Sequence, residues 1–382
     1  MRFLINFLKW AVISIILIVA LLYITGYGYI IRGARIVYFT GHTTAFIDDY
    51  PYFANDTIKK GNNPKPWPLH KDYNSVKETE TLSKVNADWG TVAYVIIKND
   101  SIWFENYYDG FNAESKTNSF SMAKSIVTSL LGKAIMDGYI KSLDQPISDF
   151  YPEYSYAKTT VGDLASMASG LDWVENYSGP FSITAKANYA ANLEKTMLYQ
   201  KIIKTPGQSF EYLSGDTQLL GMILQKATGK TLSNYLSESF WQPLGATENA
   251  LWELDDEKNR LAKAFCCISS NAKDFARFGK LYKDYGKWNG EQLLDSAFVV
   301  KSVTPRFKES PQYGYGWWLK DIGDKHFFMM RGHLGQYVIV EPNDNVIIVR
   351  LGHRKSPDAG AGQFSNDITV YIEEAYKMMQ HD

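Results

Sequence analysis

Cysteine is nearly absent from this 382-residue chain: Cys266 and Cys267 are the only two. A disulfide-stapled scaffold is thereby excluded. Neighbouring residues rarely meet the geometry of a disulfide, so the pair is expected as buried free thiols and says nothing of the compartment. Histidine is scarce as well, with six in all, and none shows metal-ligand spacing. No metal and no organic cofactor is implied. An excess of one sign of charge is missing too, since 40 Lys and Arg face 41 Asp and Glu. With no basic block, nucleic acid is not an expected partner. There is no internal repeat and no low-complexity tract, which argues against solenoids and arrays.

What the chain does have begins with a run without charge, from Trp10 to Ile31. As a helix it would be about 33 Å long, enough for a hydrocarbon core of about 30 Å. Trp10 at one end and Tyr23, Tyr27 and Tyr29 towards the other fit interfacial aromatics. A cleaved signal peptide is the competing reading. The length of the run and the lack of a small-x-small cleavage site favour an uncleaved anchor. Arg2 and Lys9 are nearly matched by Arg32 and Arg35, which leaves the orientation open. The organisation expected is a short tail at 1–9, an anchor at 10–31, a tether at 32–85 and a folded body at 86–382. The tether holds Pro51, Pro64, Pro66 and Pro68 and shows little periodicity.

In the body, 91–98 and 101–108 read as strands about an Asn99-Asp100 turn. Short strands recur at 315–319, 326–330, 336–341 and 345–351, with Pro342-Asn343-Asp344 turning the last hairpin. An amphipathic helix follows at 365–379. Between these ends the pattern is mostly helical, notably over 182–249, with helices at 217–228 and 272–285. Strands at both ends and helices between suggest an α/β protein of the α+β kind: one antiparallel sheet with a helical insertion.

The chemistry centres on Phe120-Ser121-Met122-Ala123-Lys124. Behind it Ile126, Val127, Leu130, Leu131, Ala134 and Ile135 recur at helical spacing, and Gly138 stands where a C-terminal cap is expected. Ser121 and Lys124, three apart, share a helix face. They sit at the end where the helix dipole favours negative charge. A lysine beside a serine there can make the hydroxyl nucleophilic without a histidine. Taken alone, S-x-x-K is most often solvated helix surface. Two later segments change its weight: Tyr212-Leu213-Ser214, and Gly332-His333-Leu334-Gly335 just before a strand.

In order and spacing the three segments resemble the motifs of penicillin-recognising serine hydrolases, the class C β-lactamase superfamily. The resemblance covers roughly residues 85–380. It implies a β-lactamase/transpeptidase-like fold, with an antiparallel sheet flanked by N- and C-terminal helices and an inserted helical region. It implies Ser121 as the nucleophile forming an acyl-enzyme, Lys124 as its partner, and Tyr212 as a second base whose phenolate Lys124 would favour. The backbone N–H groups of Ser121 and Gln336 would form the oxyanion hole. Ser214 and His333 would line the cleft, and Gly335 would let the strand approach the substrate. Asp216 reads as structural, and Trp317 and Trp318 as core or pocket wall.

The sequence departs from true class C β-lactamases at two points. Ser214 stands where their second motif has Asn, and His333 where their third has Lys. Y-x-S with H-x-G looks more like the esterase and 6-aminohexanoate-dimer hydrolase branch, which cleaves esters or linear amides. The expectation is therefore a membrane-anchored serine hydrolase on the periplasmic side, acting on a small-molecule or peptide-like ester or amide. The alternatives are a penicillin-binding-protein-like D,D-peptidase or β-lactamase, and an inactive relic that binds peptides or wall fragments. Specificity is expected in the loops at 173–193 and 306–313.

Overall fold

A computed structural model of the chain describes residues 1–358 and 364–380. The apolar run does not form one helix. Helix α1 (Arg2–Ile24) buries none of its residues. Gly26 then takes φ +81°, which favours glycine, and the chain restarts as α2 (Gly28–Val37). Residues 28–31, expected in the anchor, thus belong to a second helix that lies on the body. Gly33 permits that approach, because a Cβ there would sit 3.0 Å from the Tyr189 ring. Arg32 Nη1 donates to the Asp255 carbonyl at 2.7 Å.

The stretch expected as a tether is also packed. Ile47, Ile58 and Trp67 are buried in the main core. Strand β1 (Asn55–Ile58) joins a sheet, and α3 (Glu80–Asp88) is capped by Thr79, whose hydroxyl accepts from Leu82 N. Single apolar anchors at irregular spacing make no periodic signal, so composition alone suggested a linker.

Then come β2 (Thr91–Lys98), β3 (Ser101–Tyr107), β4 (Thr117–Asn118) and α4 (Met122–Met136). The inserted region holds α5 (Val161–Ala165), α6 (Ile183–Tyr189), α7 (Leu193–Leu198), α8 (Ser214–Thr228) and α9 (Leu232–Leu236). After it follow β5 (Ala250–Glu253), β6 (Ile268–Ser270), α10 (Ala272–Lys283), the hairpin of β7 (Lys287–Trp288) and β8 (Glu291–Gln292), and α11 (Ser296–Ser302). The chain closes with β9 (Trp318–Ile322), β10 (Lys325–Arg331), β11 (Tyr337–Glu341), β12 (Val346–Gly352) and α12 (Asn366–Gln380).

The main sheet runs β3-β2-β12-β11-β10-β9, antiparallel throughout, so strands from both ends of the body meet at β2 and β12 as expected. Its two faces are both covered. Val95 and Ile97 of β2 join the core that includes α4 and α10, while Tyr94 and Ile96 pack with Ile368, Tyr371 and Ile372 of α12. Burial on both sides explains why 91–97 is almost wholly apolar instead of alternating. A second sheet, β1-β5-β6-β4, was not foreseen. Its strands are two to four residues long, too short for a period of two to show. It matters because it holds the strand that leads into α4.

Candidate active site

Residues 118–121 are pinned before the helix begins. Asn118 pairs with Ser269 across β4 and β6, and Ser119 N donates to the Ile268 carbonyl at 2.7 Å. Ile268 N returns a bond to Ser119 Oγ at 3.0 Å. Phe120 then adopts φ +44°, a left-handed conformation costly for an aromatic residue. Asn118 Oδ1 holds its amide at 2.8 Å. This elbow delivers Ser121 to the N-terminal end of α4.

One turn further on, Lys124 is buried, at 2 % exposure. Its Nζ donates to Ser121 Oγ at 3.0 Å and to the Phe265 carbonyl at 2.9 Å. Burial draws the amine down to about 8, against the opposing pull of Glu175. The Tyr212 phenol is hydrogen-bonded to the Ser121 side chain, and Lys124 Nζ lies 5.1 Å from the centre of its ring. Burial pushes the Tyr212 pKa up, which corrects the expected phenolate: the group is a neutral phenol. Desolvation outweighs the Ser121 hydrogen bond and the positive charge of Arg331, and Glu175 adds to the upward push. The three residues predicted from sequence are thus brought together, with the proton-accepting capacity on Lys124.

The third segment closes the cleft from the sheet. Gly332 lies against the elbow, and a Cβ there would sit 2.5 Å from the Ser119 carbonyl. The backbone N–H groups of Ser121 and Gln336 donate to no partner among the described residues. Gly335 has a different part from the one expected. It takes φ +88°, and a Cβ would meet Arg350 Nη1 at 2.1 Å. Arg350 binds the carbonyls of Leu334 at 3.1 Å and Gly335 at 2.8 Å, so this glycine shapes the turn instead of touching the cleft. The Gln336 side chain is also structural, donating to the Gly352 carbonyl at 2.8 Å.

His333 and Ser214 both line the cleft. Burial, with Lys355 nearby, lowers His333 to about 4, so its imidazole is neutral at ordinary pH. It packs against Tyr177 with the rings tilted by 31° and their centres 4.6 Å apart. Ser214 N donates to Glu175 Oε1, and its hydroxyl meets that of Tyr177. Asp216 is buried under Ser169, whose hydroxyl donates to it, and is structural as expected. Trp317 fills the core against Tyr282, while Trp318 backs Tyr212 at 5.4 Å and faces the cleft. Among the described residues no cluster of His, Cys, Asp and Glu is fit to hold a metal ion.

Ser121 stands between two cavities. One, of about 420 Å3, is predominantly apolar and is walled by Tyr29, Ile30, Ala34 and Val37 of the α2 segment, with Phe120 and Phe265. The other, of about 670 Å3, holds Glu175, Tyr212, Arg331, Lys355 and Asp358. Both loops expected to set specificity line these cavities, through Glu175 and Tyr177 and through Ser310 and Gln312. Phe120, Glu175, Tyr177 and Arg331 had no sequence signal of their own, and α2 was taken for anchor and tether. Cys266 and Cys267 line the apolar cavity and are joined by a disulfide, which corrects the expected free thiols. Cys267 is left-handed, at φ +74°, so the short link folds back and the sulfurs meet.

A sheet covered by helices on both faces, with a buried lysine three residues after a serine at a helix start, defines a serine hydrolase of the β-lactamase/transpeptidase fold. The sequence model of the Beta-lactamase family matches residues 82–367, and the chain belongs to that family of serine hydrolases acting on amide and ester bonds. It is similar to the 6-aminohexanoate-dimer hydrolase of Paenarthrobacter ureafaciens, with 23 % identity over 293 residues, 70 % of this chain and 74 % of that one. In structure it resembles a candidate 6-aminohexanoate-dimer hydrolase from Bacillus anthracis, with a TM-score of 0.69 and 20 % identity, covering 93 % of this chain and 94 % of that one. A D-stereospecific amidohydrolase from a Streptomyces species gives a TM-score of 0.59 at 14 % identity, covering 78 % and 98 %.

Proposed function

We propose that this protein is a membrane-anchored hydrolase that cleaves an ester or amide through an acyl-enzyme on Ser121. The observation that carries the reading is the Lys124 amine, buried, 3.0 Å from Ser121 Oγ and drawn down to about 8. In its neutral form it takes the Ser121 proton while Oγ bonds to the carbonyl carbon. The oxyanion that forms is met by the N–H groups of Ser121 and Gln336. The bond to the leaving group then breaks, and the proton passes to that group through Lys124 or the Tyr212 phenol. Water repeats the cycle on the acyl-enzyme and releases the acid. The likeness to a 6-aminohexanoate-dimer hydrolase supports a linear amide or ester as substrate. Helix α1 supports the anchor: it is long and apolar enough to cross a bilayer and buries nothing in the body. The periplasmic side is part of this proposal and rests on the resemblance alone.

A fluorophosphonate probe tests the reading. A single adduct on Ser121, located by mass spectrometry and lost in Lys124→Ala, is the expected result; no adduct on folded protein overturns it. A second reading has one observation in its favour. Arg331 and Lys355 border the polar cavity and could meet a substrate carboxylate in place of the motif lysine. A D,D-peptidase or β-lactamase would then be acylated by penicillin at Ser121.

A further inference from the structure

The two cavities beside Ser121 differ in chemistry, and the apolar one is built partly by the segment that follows α1. Tyr29 lies five residues beyond Ile24, so the wall begins at most about 18 Å from the end of the apolar helix even with the intervening chain fully extended. Helix α2 is held in place by the Arg32 bond to Asp255 and by the close approach at Gly33. Aromatic side chains stand in the open at the two ends of α2. Phe39 is 85 % and Phe181 69 % exposed, and Tyr27 meets Phe181 with ring centres 5.7 Å apart. Aromatics in the open next to a bilayer-length helix suit the membrane interface. The polar cavity, which shares Ser121, Tyr177 and His333 with the apolar one, is lined by charged groups and suits water and a departing polar fragment.

We infer that the apolar cavity receives the acyl chain of an amphiphilic ester or amide, drawn from the bilayer along α2, while its polar headgroup leaves through the charged cavity. This rests on the hydrolase reading above and names its substrate class. Holding the chain in the apolar half keeps the acyl-enzyme anchored while the headgroup leaves and water enters from the open, charged half. Its volume of about 420 Å3 lies within the range of about 300–1,000 Å3 common for ligand sites.

The test uses the full chain in nanodiscs and a series of p-nitrophenyl esters from acetyl to decanoyl. The expected kcat/KM rises at least about tenfold along the series, because burial favours each added methylene. Ala34→Trp, which fills the cavity from α2, lowers the decanoyl-to-acetyl ratio at least about fivefold, while partitioning into the disc is the same for both proteins. A flat or falling series in the unaltered protein overturns the inference, as does an unchanged ratio in a folded Ala34→Trp variant. If that variant does not fold, the series in the unaltered protein decides. Turnover of acetyl ester with a flat series refutes only the acyl-chain assignment. No turnover of any ester, with no probe adduct, refutes the hydrolase reading as well.

Discussion

Burial draws the Lys124 amine down to about 8 and His333 to about 4, and the two shifts separate their contributions to pH dependence. A lysine with a lowered pKa gains its neutral, basic form as pH rises through that value. The rate of acylation by an activated ester is therefore expected to climb about tenfold per pH unit below 8 and to level off above it. His333 is neutral throughout that interval, so no inflection near 6.5 is expected in a kcat/KM profile taken from pH 5 to 10. Lys124→Ala removes the base, and a fall of about 10²–10⁴ in kcat/KM is expected from steady-state rates on the same ester. At this scale the sequence was informative about identity and poor about charge state. Ser121, Lys124 and Tyr212 were legible because motif spacing survives folding. The Tyr212 phenol was misread because its protonation depends on desolvation, which only the packed structure displays.

Among the elements, the long ones were legible and the short ones were not. The strands at 91–98 and 346–352 and the helix after Ser121 carry enough consecutive apolar residues to declare themselves. Strands β1, β4 and β6 do not, yet β4 and β6 hold the elbow at Phe120. The α2 helix was hidden for another reason: its apolar residues continue the run of α1, and only the left-handed Gly26 divides them. The turn between β10 and β11 meets the elbow at Gly332, where no side chain fits. Gly332→Ala is expected to push that turn away and displace the Gln336 N–H. A shift of about 1 Å at such a donor can cost about 10² in rate. The expected signature is a loss in kcat larger than the rise in KM, with the circular-dichroism melting curve lowered by the overpacking but still cooperative.

Across the whole molecule, one buried cluster ties the early segment to the body. Lys263 Nζ pairs with Glu253 Oε2 at 2.9 Å, and both side chains are buried. Phe53 lies under the amine at 3.4 Å, and Asn118 binds both Glu253 and Asp49. Removing one partner of such a pair leaves an uncompensated charge. Lys263→Ala is expected to lower stability by about 3–5 kcal/mol in denaturant titration. The arrangement also implies an order of events. The bond from Arg32 to the Asp255 carbonyl joins residues 223 apart, so α1 and α2 leave the ribosome long before their partners exist. Helix α1 is complete first, and the cleft acquires its last wall only when the remainder of the chain has been made. A copy whose first forty residues are clipped off keeps its serine and lysine but lacks the α2 wall of the apolar cavity. Completion of the cleft is in this way tied to completion of the chain, because its walls come from segments made early and late, α2 and the turn at His333.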